Sequence, residues 1–143
     1  MSEASVSKFG TILAMAAMLC SSLAYATEAA PASAAQVTPL MTRDLVGTRG
    51  KEVLMITVTY GPGAASLPHR HDAQVFVYVL EGEMTMQVKG QPPVTLRAGQ
   101  TFYEAPNDIH QVSANASGTA PAKILVLMVK DKNKPASRNV SGD

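Results

Sequence analysis

The chain has 143 residues, of which 16% are charged, and a formal net charge of +1 at pH 7. This length leaves room for one domain with a modest core. A net charge so close to zero gives no electrostatic reason to expect nucleic acid or an anionic membrane as a partner. We therefore expect a single-domain protein with no nucleic-acid partner and no stable membrane association.

The first 26 residues have the pattern of a secretory signal peptide. Lys8 precedes a mostly apolar run over residues 12–23, and Ala24-Tyr25-Ala26 fits the small-x-small cleavage rule. We expect cleavage between Ala26 and Thr27 and a secreted or periplasmic mature protein. The alternatives are a buried core helix and an uncleaved anchor. Cleavage would remove Cys20, the only cysteine, so that no disulfide could stabilise the mature domain.

The composition divides the rest of the chain into three parts. Residues 27–40 are rich in Ala and Pro and predict a linker, and residues 131–143 predict a loose polar tail. Between them, residues 41–130 alternate short β-prone runs with Gly and Pro turns, which predicts an all-β sandwich or barrel. The predicted strands are 52–60, 75–80, 83–88, 94–96, 101–104, 111–114 and 123–129. The run at 75–80 is apolar at every position, which predicts a strand buried on both faces.

The chain has only three histidines, and their spacing suits a metal site. His69 and His71 form a His-x-His pair, and His110 follows in the segment Pro106-Asn107-Asp108-Ile109-His110. Residues two apart in a strand point to the same side, so the first two rings would face one ion together. Imidazole is neutral near pH 7 and is the commonest protein metal ligand. Taken alone, the His-x-His pair fits two partly exposed loop histidines equally well.

The glycines around these histidines give the chain a resemblance to the cupin superfamily. The two cupin motifs read G-x5-H-x-H-x3,4-E-x6-G and G-x5-P-x-G-x2-H-x3-N. Gly63, Gly82 and Gly99 stand at motif glycines, and the resemblance extends from about Val53 to Val129. It implies an all-β fold, a single-domain cupin-type β-barrel (jelly roll), in which His69, His71 and His110 are ligands of one divalent metal ion.

The chain departs from the cupin motifs at several positions. Val75 stands where the family has its glutamate ligand, and valine cannot coordinate a metal. Ala105 and Asn107 replace the proline and the glycine of the second motif. The change to Asn107 is mild, because Asn tolerates the left-handed backbone conformation. Asn115 arrives one residue late for the motif asparagine. The resemblance therefore implies a centre of three neutral ligands that leaves the double charge of the ion uncompensated.

Two further side chains are candidates for the missing oxygen ligand or for a catalytic group. Gln74 is adjacent to Val75 but has the opposite parity to the histidines, so only a β-bulge near Asp72-Ala73 would turn it inward. Otherwise it is an amide that faces solvent or contacts one of the ligand side chains. Glu104 ends a predicted strand shortly before His110 and is the best candidate for a catalytic proton acceptor or a partner of a ligand histidine. A solvated charge at a strand end is the alternative for Glu104.

The resemblance leaves two functions and several metals open. Three-histidine cupins include dioxygenases with non-haem iron, which implies a metal-dependent oxygenase that acts on a small chelating substrate such as a diketone, thiol or phenol. The alternative is a non-catalytic module that binds a small molecule or senses metal. Fe, Mn, Ni, Cu and Zn all accept imidazole. Cupins commonly pair through their sheets, so we also expect a homodimer, formed at the apolar strand 52–60 if that strand is an unpaired edge.

Overall fold

Antiparallel strands make up all of the regular secondary structure in residues 35–140, the part of the chain that the computed structural model describes. Within these residues there is no helix, which confirms the all-β prediction, and thus none that could cross a membrane. The strands are β1 (Gln36–Asp44), β2 (Lys51–Tyr60), β3 (His69–Arg70), β4 (Ala73–Glu81), β5 (Glu83–Val88), β6 (Val94–Arg97), β7 (Thr101–Glu104), β8 (Ile109–Asn115), β9 (Ala122–Asp131) and β10 (Arg138–Asn139).

Two five-stranded sheets enclose the core. The first sheet has the order β1-β2-β9-β4-β7, and the second has the order β10-β3-β8-β5-β6. Side chains alternate between buried and more exposed positions along β4 and β9, as expected for strands that cover a core with one face only. Their inward residues include Val75, Val77 and Met128, which meet Met84 and Met86 of the second sheet in one apolar cluster.

The predicted linker extends too far into the domain, because Gln36–Leu40 belong to β1. Every residue of β1 is exposed, so the strand depends on backbone pairing with β2 rather than on side-chain burial. Composition carries no signal for such a strand. Its presence also corrects the expected edge, because β2 is paired with β1 on one side and with β9 on the other. The predicted signal peptide, residues 1–26, lies outside the described residues.

The predicted loose tail is also wrong over most of its length. Asp131 ends β9, and Arg138–Asn139 form β10, which pairs with β3. The backbone N–H of Val140 donates to the carbonyl oxygen of Pro68 at 3.1 Å, and Arg138 forms an ion pair with Asp72. This segment is held by backbone hydrogen bonds and one ion pair, neither of which requires apolar side chains. Its polar composition therefore did not reveal that it is docked on the domain.

Strand β4 is buried on one face only, in contrast to the prediction from its continuous apolar run. Val75, Val77 and Val79 point into the core, whereas Phe76 and Tyr78 are each 44% exposed on the outer face. The reason is that no layer in the described chain covers the outer face of the first sheet. Phe76 packs instead against Tyr103 of the neighbouring strand β7, with ring centroids 5.3 Å apart.

The turn before β8 depends on a left-handed residue. Asn107 has a φ of 70°, as its place at the motif glycine suggested. Its backbone N–H donates to the carbonyl oxygen of His71 at 3.0 Å, so this turn holds the chain at one of the candidate ligands.

We expect Asn107→Val to lower the free energy of unfolding by about 1–2 kcal/mol, because a β-branched side chain opposes a positive φ. Asn107→Gly is the matched control and should leave stability unchanged or slightly higher. Urea denaturation of the two variants and the wild type measures the difference. Equal stability of the Val and Gly variants would contradict the argument.

Candidate metal centre

Backbone pairing between β3 and β8 brings the three histidines together. His69 lies directly opposite His110 in the antiparallel register, and His71 follows β3 by one residue. One ring nitrogen from each histidine lies within 4.8 Å of the others. The rings of His71 and His110 are buried, and that of His69 is partly buried. The prediction that the three histidines share one site is therefore confirmed for their geometry.

Hydrogen bonds orient the rings of His69 and His71 toward that site. Nδ1 of His69 lies 2.7 Å from the carbonyl oxygen of Leu67, and Nδ1 of His71 lies 2.5 Å from that of Ala136. A carbonyl oxygen only accepts, so Nδ1 is the donor in both rings, and in the neutral form of each ring the lone pair is on Nε2. A backbone carbonyl on the outer nitrogen is the usual arrangement for a metal-binding histidine.

The charge state of His69 also favours coordination. Burial, the largest effect, lowers the pKa of His69 from its usual value of 6.5, and the neighbouring His71 and His110 rings lower it further. The hydrogen bond to the Leu67 carbonyl and the charge of Glu104 oppose this shift without reversing it. The ring is therefore neutral near pH 7, which is the form that binds a metal.

Glu104 reaches the same site from the first sheet. Its side chain is only 1% exposed, so it is not a solvated charge at a strand end. Its Oε1 lies 3.1 Å from Nδ1 of His110, and its Oε2 lies 3.8 Å from Nε2 of His71. The ring of His110 also stacks on Phe102 at a centroid distance of 5.8 Å. Glu104 therefore lies beside the histidines, as its position shortly before His110 suggested. Its contact with His71 as well as His110 could be seen only in the folded structure.

Gln74 lies outside the site. It is exposed on the outer face of β4, and the register irregularity of that strand falls between Val79 and Glu81 rather than near Asp72-Ala73. The structure therefore corrects the suggestion that Gln74 is a ligand, and the parity argument against it was the better one. Asp108 caps the turn by accepting a hydrogen bond from the Ala105 N–H at 2.9 Å.

The histidines open into a cavity of about 470 Å³ between the two sheets. Its walls are mainly apolar and come from β2, β4 and β9, with Ile56, Val58, Val75, Val77, Val126 and Met128 among the lining residues. No Lys or Arg is among the described residues that line it. The volume suits a small organic molecule, and the only ionisable side chains among the described residues that line it are the three histidines, Glu104 and Tyr60.

A further polar group in the wall of this cavity was not found from the sequence. The hydroxyl of Tyr60 lies 2.9 Å from Oγ of Ser113 and 3.0 Å from Oγ of Ser66, and all three residues line the cavity. Tyr60 ends β2 and Ser113 is in the middle of β8, so their contact joins the two sheets. Three residues of β8 are buried, His110, Ser113 and Asn115, and a register shift opposite Gln87 and Val88 interrupts the alternation, so the pattern along β8 did not single out Ser113.

Among the residues that the structure describes, two buried side-chain atoms have no hydrogen-bond partner, and both belong to the site. They are Nε2 of His110 and Oε2 of Glu104. Buried polar atoms are normally paired, and an unpaired one calls for a further partner such as an ion. A divalent metal ion fits both, because it binds imidazole nitrogen and carboxylate oxygen. These unpaired atoms indicate that the side chains of the site suit a metal ion, and this indication does not depend on the cupin motifs.

Comparison with known proteins assigns the family. Residues 56–128, half of the chain, match the family described as "Cupin domain". The chain belongs to the cupin superfamily. A cupin-like protein from Thermotoga maritima has 20% identity and a TM-score of 0.59, with 76% of this chain and 77% of that chain covered. The predicted cupin-type jelly roll is thereby confirmed. No curated protein sequence matches the chain.

Two structures of cupin fold come from enzymes. An oxalate oxidase in complex with the substrate analogue glycolate has 26% identity and a TM-score of 0.57, over 74% of this chain and 55% of that chain. A DMSP lyase from Ruegeria pomeroyi has 22% identity and a TM-score of 0.55, over 64% of this chain and 45% of that chain. The chain thus spans about half the length of each, and the lyase shares the fold alone.

The segment after β9 contacts the ring of His71, one of the three candidate ligands, which gives a first test. Deleting residues 135–143 removes the Ala136 carbonyl that binds His71 and the strand that pairs with β3. We expect this deletion to weaken Zn²⁺ binding by about 10–100-fold, the usual cost of losing the outer partner of a ligand histidine. Isothermal titration calorimetry measures the affinity.

Deleting only residues 141–143 is the matched control and should leave the Zn²⁺ affinity unchanged. Equal affinity of the longer deletion and the wild type would mean that the Ala136 carbonyl does not support the site.

Proposed function

We propose that this cupin binds one divalent metal ion through His69, His71 and His110 and acts as a metal-dependent oxygenase on a small chelating substrate. The observation that carries the proposal is the unpaired Nε2 of buried His110, beside two histidines whose Nε2 atoms are left free by backbone hydrogen bonds. A divalent ion held there would supply a Lewis acid with coordination positions open to substrate. Fe, Mn, Ni, Cu and Zn are all compatible with the ligand set.

The lining of the cavity narrows the substrate class. A dicarboxylate would need cationic partners, and no Lys or Arg lines the cavity in the described chain. The apolar walls favour a ligand whose chelating oxygens approach the ion while an aromatic or aliphatic body packs between the sheets. A phenol or a diketone meets this description better than oxalate does, even though an oxalate oxidase is a structural neighbour.

The residues of the site have separable roles in such a reaction. The three imidazoles hold the ion, and the apolar walls exclude water from the substrate. Glu104 lines the cavity beside two histidines, where it can accept a proton from an acidic phenol or enol. The hydroxyls of Tyr60 and Ser66 can hydrogen-bond the far end of the substrate, because they line the same cavity.

We expect the purified protein to contain about one metal ion per chain and His110→Ala to contain less than about 0.2, because the loss of one of three ligands opens the site. Elemental analysis of protein prepared without chelators measures both. Gln111→Ala is the control, since Gln111 is exposed on the same strand. A wild-type protein with less than about 0.2 ions per chain would contradict specific binding.

An oxygen electrode separates the oxygenase from a non-catalytic module, which is the second candidate because the cavity alone suffices for binding. With Fe²⁺-loaded protein and a panel of phenols and 1,3-diketones, an oxygenase consumes oxygen only when protein and substrate are both present. The consumption should be lost in His110→Ala. Saturable binding of a panel member without oxygen uptake would favour the binding module.

A further inference from the structure

Three hydroxyl groups lie together in the wall of the cavity that contains the histidines. The hydroxyl of Tyr60 lies 3.0 Å from Oγ of Ser66 and 2.9 Å from Oγ of Ser113. Tyr60 and Ser113 are each 3% exposed, and Ser66 is half-buried. All three residues line the cavity, whose walls are otherwise mainly apolar. This group, called the hydroxyl cluster below, therefore offers polar atoms to a ligand at a second place in the cavity.

Backbone hydrogen bonds hold the hydroxyl cluster in place. The N–H of Ser66 donates to the carbonyl oxygen of Ser113 at 2.9 Å, so the segment before β3 runs beside β8. The side-chain amide of Asn115, two residues after Ser113, donates to the carbonyl oxygen of Gly61 at 2.9 Å, directly after Tyr60. The positions of the hydroxyls are thus fixed by contacts that need no ligand, which lowers the entropic cost of binding one.

A β-bulge in β8 turns Ser113 to the same side as His110. Residues three apart in a regular strand face opposite sides of the sheet. In β8, however, Gln111 has no partner on β5, because Val88 pairs with His110 and the adjacent Gln87 pairs with the residue after Gln111. His110 and Ser113 are consequently both buried and both line the cavity. The rise of a strand over two to three residues separates them by about 7–10 Å, a length comparable to one aromatic ring with a short substituent.

The hydroxyl cluster has one hydrogen-bond donor more than it uses. Each hydroxyl carries one proton, and each of the two contacts within the cluster takes one of them. The third proton is on Tyr60, Ser66 or Ser113, according to the direction of the two bonds. These hydroxyls form no further hydrogen bond within the described residues, and each of them lines the cavity. Because buried donors are normally paired, the cluster is suited to an acceptor atom of a ligand.

From these observations we infer that the hydroxyl cluster is a second ligand subsite, which donates one hydrogen bond to an acceptor oxygen of the substrate. The class of substrate that suits both subsites is a chelating phenol or diketone with a carbonyl or ether oxygen at the end opposite its chelating oxygens. A carboxylate at that end is a poorer partner, because no Lys or Arg lines the cavity among the described residues. This inference rests on the proposed function and specifies the second polar group of its substrate.

Two catechols that differ in one oxygen atom test the inference. One carries an acetyl group para to a hydroxyl and the other carries an ethyl group there, so that only acetylcatechol offers a carbonyl oxygen. We expect the Zn²⁺-loaded triple variant Tyr60→Phe/Ser66→Ala/Ser113→Ala to bind acetylcatechol about 3–10-fold more weakly than the wild type does, the usual effect of one neutral hydrogen bond. Its affinity for ethylcatechol should change by less than about twofold.

The design of the variant follows from the proton count. All three hydroxyls are removed together because any one that remained would still supply a donor. Apolar replacement of every partner leaves no buried polar atom of the cluster unpaired, so the cost to stability is small. Thr59→Val is the matched control and should leave both affinities unchanged, since Thr59 is a hydroxyl residue of β2 that does not line the cavity.

Isothermal titration calorimetry under nitrogen measures the affinities. Zn²⁺ has no redox chemistry, so binding is observed without turnover. Each catechol is compared with itself on two proteins, which cancels the different acidities of the two ligands. Circular dichroism and a Zn²⁺ titration check that each variant is folded and holds the ion.

An equal loss for both catechols in the triple variant, or no loss for either, would overturn the inference and leave the metal centre in place. If the triple variant does not fold, a crystal structure of the wild-type protein with Zn²⁺ and acetylcatechol decides the question. The acetyl oxygen should then lie within about 3.2 Å of one of the three hydroxyl oxygens. An acetyl oxygen in contact only with apolar walls or solvent would overturn the inference.

Failure of the proposed function gives different results. A wild-type protein that binds Zn²⁺ but neither catechol would overturn the substrate class together with the second subsite. A wild-type protein that does not bind Zn²⁺ would overturn the metal centre itself.

Discussion

The pairing of β3 with β8 is the constraint on which the site depends. It places His69 opposite His110, and it holds a strand of only two residues inside the second sheet, between β10 and β8. Such a short strand has little stability of its own and needs partners on both sides. Strand β10 is the second partner, and the carbonyl oxygens of Leu67 and Ala136 fix the rings. The geometry of the three histidines therefore depends on segments that lie far apart in the sequence.

This arrangement couples metal binding to local order. A strand held by few backbone pairs belongs to the less stable part of a domain. An ion that binds the ordered histidines stabilises β3 and its neighbours by the free energy of binding. Binding at His71 would in turn favour the docked position of β10, because the Ala136 carbonyl contacts that ring. The segment beyond β9 thus functions as part of the site, although its composition is that of a polar tail.

The sequence was sufficient for features that depend on local periodicity. Alternation with a period of two predicted β2 and β9 and placed the rings of His69 and His71 on one side. It also argued correctly against Gln74. It failed where stability comes from backbone pairing alone, as in the fully exposed β1 and the short β10. It failed again for the outer face of β4, because apolar residues do not reveal whether another layer covers them.

The position of the Glu104 carboxylate shows what a sequence motif cannot detect. Val75 reads as the loss of an acidic group because a motif compares positions in sequence order. The inner face of a sheet is organised across strands, and there Val75 and Glu104 are immediate neighbours although 28 residues lie between them in the sequence. They are neighbours because of the register in which β4 pairs with β7, and this register cannot be predicted from the sequence of either strand alone. A motif therefore does not detect that a carboxylate lies buried beside the histidines, directly across the sheet from the position where the motif has its glutamate.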